Sequence, residues 1–183
     1  MADARFLEAR LSGCDFSGAI LTSASFHQAT ITECKFNEAD LDRALFYRAR
    51  ISLSNFSSAK ASAANFSNGR IQLTEFTKAE LSDSRFSRTD LSSSSFIRAQ
   101  LRECDFRDAS AAGTDFSGAI MCGARFAGAN LYAADLRSSN LKSAREMTSE
   151  QLCQGRTSEQ TILPNGKSGP YMRKSGAEKP APR

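Results

Sequence analysis

The chain of 183 residues has no Val and no Trp, a single His, and no long apolar run. Each absence excludes something. Without a run of ~18 apolar residues no helix is expected to span a membrane. Met1-Ala2-Asp3-Ala4-Arg5 is followed by no apolar stretch, so no secretory signal is expected. With His27 as the lone histidine, histidine-based metal sites and hydrolase triads are not expected. The five cysteines form no CxxC motif and no Cys/His cluster. They are therefore read as reduced thiols of a cytoplasmic protein without metal or other cofactor. The missing Val, set against 27 Ala and 26 Ser, argues on propensity alone against β-structure.

The residues that are present overrule that argument. The 13 phenylalanines fall at Phe6, Phe16, Phe26, Phe36, Phe46, Phe56, Phe66, Phe76, Phe86, Phe96, Phe106, Phe116 and Phe126, ten apart without a slip. Midway between them stand mostly Leu or Ile, from Leu11 to Leu131, and Leu136 and Leu141 continue the series. The unit is thus five residues with a large apolar centre. Two places before each centre the residue is small: of 29 such positions from Ala4 to Ala144, 18 are Ala and the rest Cys, Ser, Thr or Gly69. A period of five matches neither a helix nor a strand. Five residues rotate a helix by ~500°, so the centres drift around it. In a strand an odd period sends successive centres to opposite faces. The centre and the small residue share one side only if each unit is briefly extended and the chain then turns. Strict alternation of Phe with Leu requires an even number of units per coil. Four units, or twenty residues, place six of the eleven non-Ala small residues (Cys14, Cys34, Ser54, Thr74, Ser94, Thr114) in one column.

Units such as Ala39-Asp40-Leu41-Asp42-Arg43 and Ala129-Asn130-Leu131-Tyr132-Ala133 resemble the A(D/N)LXX consensus of the pentapeptide repeat family. The resemblance implies an all-β fold, a right-handed quadrilateral β-helix, here of about seven four-sided coils over residues 1–145. At ~4.8 Å per coil the rod would be ~34 Å long. All thirteen Phe are expected in its core. Residues 146–166 read as a cap: Thr148-x-x-Gln151 is a capping box opening a short helix that Gly155 can end. Residues 167–183 carry five cations, one Glu and three Pro, and read as a basic disordered tail.

The outward positions must carry the function. The two walls centred on 6–126 and 11–131 bear nine cations, all Arg, against five acids. Arg48, Arg50, Arg70 and Arg88 are expected near one edge, with Tyr47 and His27 beside them. Leu53 and Leu73 should stack in adjacent coils, as should Arg50 and Arg70, giving an apolar–basic contact patch. Leu7, Leu45 and Ile97 are the other apolar residues expected outside. No phosphate-binding Gly loop and no nucleophile elbow occur, so no enzyme is expected. The reading is a non-catalytic rigid scaffold or protein-interaction module. The resemblance implies an alternative, a modulator that binds DNA gyrase in place of DNA. That role calls for a strongly acidic rod, whereas cations and acids nearly balance along these repeats. Weak contact of the Arg stripe and basic tail with anions or nucleic acid, and a homodimer through a rod end, complete the expected partners.

Overall fold

The computed structural model describes residues 2–180. From Arg5 to Arg145 the chain pairs in parallel with itself twenty residues further on: Arg5 with Ser25, Asp15 with Lys35, Ile20 with Asp40, and so on to Arg125 with Arg145. Four short sides make each turn of a right-handed quadrilateral β-helix. On one wall the extension is long enough to form strands: β1 (Arg10–Ser12), β2 (Thr30–Thr32), β3 (Arg50–Ser52) and β4 (Arg70–Gln72). They form one parallel sheet in the order β1-β2-β3-β4, with Arg50 opposite Arg70 and Ile51 opposite Ile71.

The corners keep Val and the other β-branched residues out of one place in each unit. The second residue after a centre is left-handed, as at Arg48 (φ 57°), Asn68 (φ 59°) and Lys78 (φ 58°). The next amide then returns to the carbonyl of the centre: Ala49 N donates to Phe46 O at 2.9 Å and Ala79 N to Phe76 O at 3.1 Å. A β-branched residue is strongly disfavoured at such a φ. The Asp or Asn before many centres has its own task. Its side chain accepts from the amide two residues on, as Asn55 does from Ser57 at 2.8 Å and Asp115 from Ser117 at 2.8 Å.

The column of Cys, Ser and Thr also finds its reason. After Ile31, Ile51 and Ile71 the corner lacks the usual turn bond, and after Ile31 and Ile71 side chains of the next coil replace it. Cys34 N donates to Ser54 Oγ at 3.1 Å, and Ser94 Oγ donates to Ile71 O at 2.9 Å. Elsewhere in the core Ser84 and Thr89 hydroxyls donate to Ala61 O and Phe66 O.

Inside, the rings form two stacks. Phe26, Phe46, Phe66 and Phe86 lie parallel at 4.7–4.9 Å, and Phe36, Phe56, Phe76 and Phe96 do so at 4.5–4.9 Å. The stacks meet edge-on, for example Phe66 with Phe76 at 5.8 Å. Such offset and T-shaped pairs add to the area that each ring buries. Phe26 to Phe126 are fully buried. Phe6 and Phe16 are only half-buried, contrary to expectation, because they lie in the first described coil, which has a neighbour on one side only among the described residues.

At the other end Thr148 caps α1 (Ser149–Gln154) through a reciprocal capping box with Gln151. Gly155 ends the helix in an extended conformation rather than a left-handed one; it is needed because a Cβ there would meet Leu136 Cδ1 at 2.8 Å. Arg156 and Ile162 then pair with Asp135 and Asn140, which adds a partial coil without repeat sequence. Gln151 is the key of this cap. Its Nε2 donates to Phe126 O at 2.7 Å and to Ala129 O at 2.8 Å, while its Oε1 accepts from Thr148 N at 2.7 Å. Gln151→Ala should cost about 1–3 kcal/mol, because it leaves the buried Ala129 carbonyl without a donor, while Phe126 O keeps the Ala129 amide at 3.0 Å. Thermal unfolding of the variant checks this.

Residues 167–180 correct the reading of a disordered tail. Tyr171 OH donates to Glu178 Oε2 (2.9 Å) and accepts from Ser149 Oγ (2.7 Å), and its amide donates to Thr157 Oγ1 at 2.8 Å. Ala177 is buried, and its carbonyl accepts from Asn165 N. The averaged composition hid two anchors, one aromatic and one small, that hold the segment on the cap. Residues 181–183 of the expected tail lie outside the described residues.

Candidate functional site

The twenty-residue register gathers four of the expected residues around one cleft. Arg48 and Arg88 stand at left-handed corners, while Arg50 and Arg70 open β3 and β4. All four line a cleft of about 690 Å³ together with Ala49, Asn68 and Gly69. Asn68 and Gly69 reach out less than the arginines around them, so the surface is hollow there. Gln28 and Asp90 complete the lining and were not singled out from the sequence. One signal was available: Gly69 is the single glycine among the 29 small positions.

The charges are partly held in place. Arg70 Nε lies 3.8 Å from Asp90 Oδ2 and Arg88 Nε 3.7 Å from Asp108 Oδ2. Asp90 is itself fixed by Ser92 Oγ (2.6 Å) and Gln72 Nε2 (2.7 Å). Arg48 lies over the Tyr47 ring, 5.2 Å from its centroid, and Tyr47 stacks on His27 at 5.3 Å. A guanidinium over a phenol ring is attracted by the ring quadrupole. Among the described residues no carboxylate comes within 4.0 Å of Arg48 or Arg50 in an ion pair. Four guanidiniums thus face two paired carboxylates, and the cleft keeps a positive balance. Arg50 opposite Arg70 is a like-charge pair in register, which does not stabilise a sheet.

A second groove continues the first past Asn68 and has mixed charge. There Arg107 grips Asp105 through Nε (2.8 Å) and a terminal nitrogen (2.7 Å). That bond holds the Asp105 carboxyl below the usual carboxylate range.

Leu53 and Leu73 lie at the far edge of the β3–β4 wall, 55% and 57% exposed. Leu7 and Leu45 are exposed as expected, but Ile97 is half-buried. Ile20 is exposed and was missed: it occupies the place before a centre, whose side chain points outward. Burial pushes the thiols of Cys34 and Cys104 up, away from the thiolate, so neither is an activated nucleophile. No helix among the described residues is long and apolar enough to cross a membrane.

The family model for pentapeptide repeats matches in eight copies over residues 1–37, 31–68, 70–108 and 104–142. No curated protein matches the sequence. Among solved structures, two trypsin-treated forms of QnrB1, a plasmid-mediated fluoroquinolone resistance protein, are similar in fold. One is 21% identical with a TM-score of 0.52 and 80% of this chain and 83% of that chain covered. The other is 23% identical with a TM-score of 0.52, with 79% and 80% covered. HetL, a pentapeptide repeat protein involved in heterocyst differentiation regulation from the cyanobacterium Nostoc, is 22% identical with a TM-score of 0.30, with 92% of each chain covered.

Proposed function

The chain belongs to the pentapeptide repeat family, and on that premise we propose that it is a non-catalytic rod that presents its arginine-lined wall to a protein partner. The observation that carries this reading is the convergence of Arg48, Arg50, Arg70 and Arg88 on one cleft with only Asp90 and Asp108 set against them. Guanidiniums held in a fixed fork recognise carboxylates bidentately. A surface of this kind supplies orientation and association rate rather than chemistry. The fold likeness to QnrB1 does not transfer its role, and the near balance of charge along the repeats opposes mimicry of DNA.

Affinity capture tests the reading. The full chain and a variant with all four arginines changed to Glu are compared for the proteins they retain, alongside a DNA gel shift at two salt concentrations and a gyrase supercoiling assay with and without a quinolone. A partner retained by the native chain and lost by the variant is expected. A DNA complex that weakens steeply with salt, or protection of gyrase by the rod, would overturn it.

A further inference from the structure

Building on the proposed partner-binding role, we propose that the outer face of β3 and β4 docks an extended segment of a partner protein that carries a carboxylate and, a few residues away, an apolar side chain. Two unfavourable features coincide on these two coils. Arg50 stands opposite Arg70, a like-charge pair in register. Leu53 and Leu73 are more than half exposed, at φ 51° in each case. Leu is not among the residues that favour this conformation, as Gly, Asn and Asp do. Neither feature stabilises the free rod, and a ligand of complementary chemistry would relieve both.

The geometry sets the ligand. Arg50 and Leu53 are three residues apart on an extended wall, about 10 Å, and Arg70 and Leu73 repeat the arrangement one coil on, about 4.8 Å away. The wall therefore has a basic edge and an apolar edge, two coils deep. An extended peptide rises about 3.3 Å per residue, so its carboxylate and apolar group would lie roughly two to four residues apart. Because β1–β4 form the only multi-residue sheet among the described residues, this wall offers three extended residues per coil. Nucleic acid fits less well. Phosphates would engage Arg50 and Arg70 but would leave Leu53 and Leu73 against a polar backbone and place Asp90 beside the strand.

The test selects displayed random peptides of about twelve residues on the full chain, a length that spans such a wall. Affinities of the selected peptides are then measured by fluorescence anisotropy for the native chain and three exposed-residue variants. Enrichment of Asp or Glu within roughly two to four residues of Leu, Ile or Phe is expected. Affinity should fall roughly tenfold or more in Arg50→Glu/Arg70→Glu and roughly fivefold or more in Leu53→Ser/Leu73→Ser. Lys60→Glu/Lys78→Glu, on the other two walls, should leave it unchanged. Unaltered melting temperatures show that the variants are folded. Full affinity in Leu53→Ser/Leu73→Ser, enrichment without the acid–apolar pairing, or tighter binding of a short DNA duplex would overturn the proposal. Loss in the arginine variant with none in the leucine variant would sink this inference alone; loss in neither, with no partner captured by the cleft, would sink the partner-binding reading as well.

Discussion

Phe66→Ala should lower stability by about 3–5 kcal/mol, the usual range for emptying a buried aromatic site. Phe66 is fully buried between Phe46 at 4.7 Å and Phe86 at 4.9 Å, and touches Phe56 and Phe76 edge-on at 6.4 and 5.8 Å. Removing the ring deprives four aromatic partners of contact at once. Stacked main-chain bonds fix the coil spacing, so the gap cannot close by collapse. For a chain of this size the melting temperature should fall by roughly 6–20 °C. Phe6→Ala provides the internal control. Phe6 is half-buried and stacks on one ring only, Phe26 at 4.7 Å. Its loss should cost clearly less, and equal losses at the two sites would contradict the stacked-core account.

The small column gives the second large effect. Ala79 is fully buried, and its amide donates to Phe76 O. Ala79→Ser should change stability by less than about 1 kcal/mol, since a hydroxyl there can donate to a nearby carbonyl. Ser139 does so in the same column, to Leu136 O at 2.7 Å. Ala79→Asp has no such outlet. A carboxylate between the Phe stacks has no cation to meet, and the loss should reach several kcal/mol, about 3–5. Burial would raise the folded-state pKa of this Asp above its unfolded value. The protonated form is then favoured in the fold, so the penalty is largest above the raised folded-state pKa, shrinks as pH falls below it and is lost below the unfolded pKa. Denaturant unfolding at pH 7 and near pH 4 measures both the size and the sign.

The architecture was legible because each coil repeats one local rule. Phe every ten residues, Leu or Ile between, and a small residue two places before each centre are enough to define walls, corners and the coil of four. That register also carried the site: once residues twenty apart are neighbours, Arg50, Arg70, Leu53 and Leu73 must share a wall. What escaped depends on contacts outside the repeat. Ile20 looks apolar, yet its place before a centre turns it outward. The clustering of Cys, Ser and Thr was visible, but that their side chains replace missing turn bonds follows only from which corners lack them. Tyr171 and Ala177 anchor a stretch whose composition suggests disorder, because two specific contacts outweigh an average. Asn68 and Gly69 matter to the cleft by being shorter than their neighbours, which no search for functional groups would notice.

The central claim is that the five-residue period of the sequence is also the period of main-chain bonding. Amide hydrogen exchange resolved by residue tests it most directly. The amides of Phe66, Phe76 and Phe86 donate to Arg85 O, Ser95 O and Asp105 O of the next coil at 2.7–2.8 Å. Those of Thr77, Ser82 and Ile97, each one place after a centre, make no backbone bond among the described residues. Along residues 20–130 outside β1–β4, exchange should be slow at every centre and fast at the next residue, wherever no Asp or Asn side chain accepts that amide, as Asp42 does from Ser62. Uniform protection, or a period near 3.6 or 2, would contradict the account.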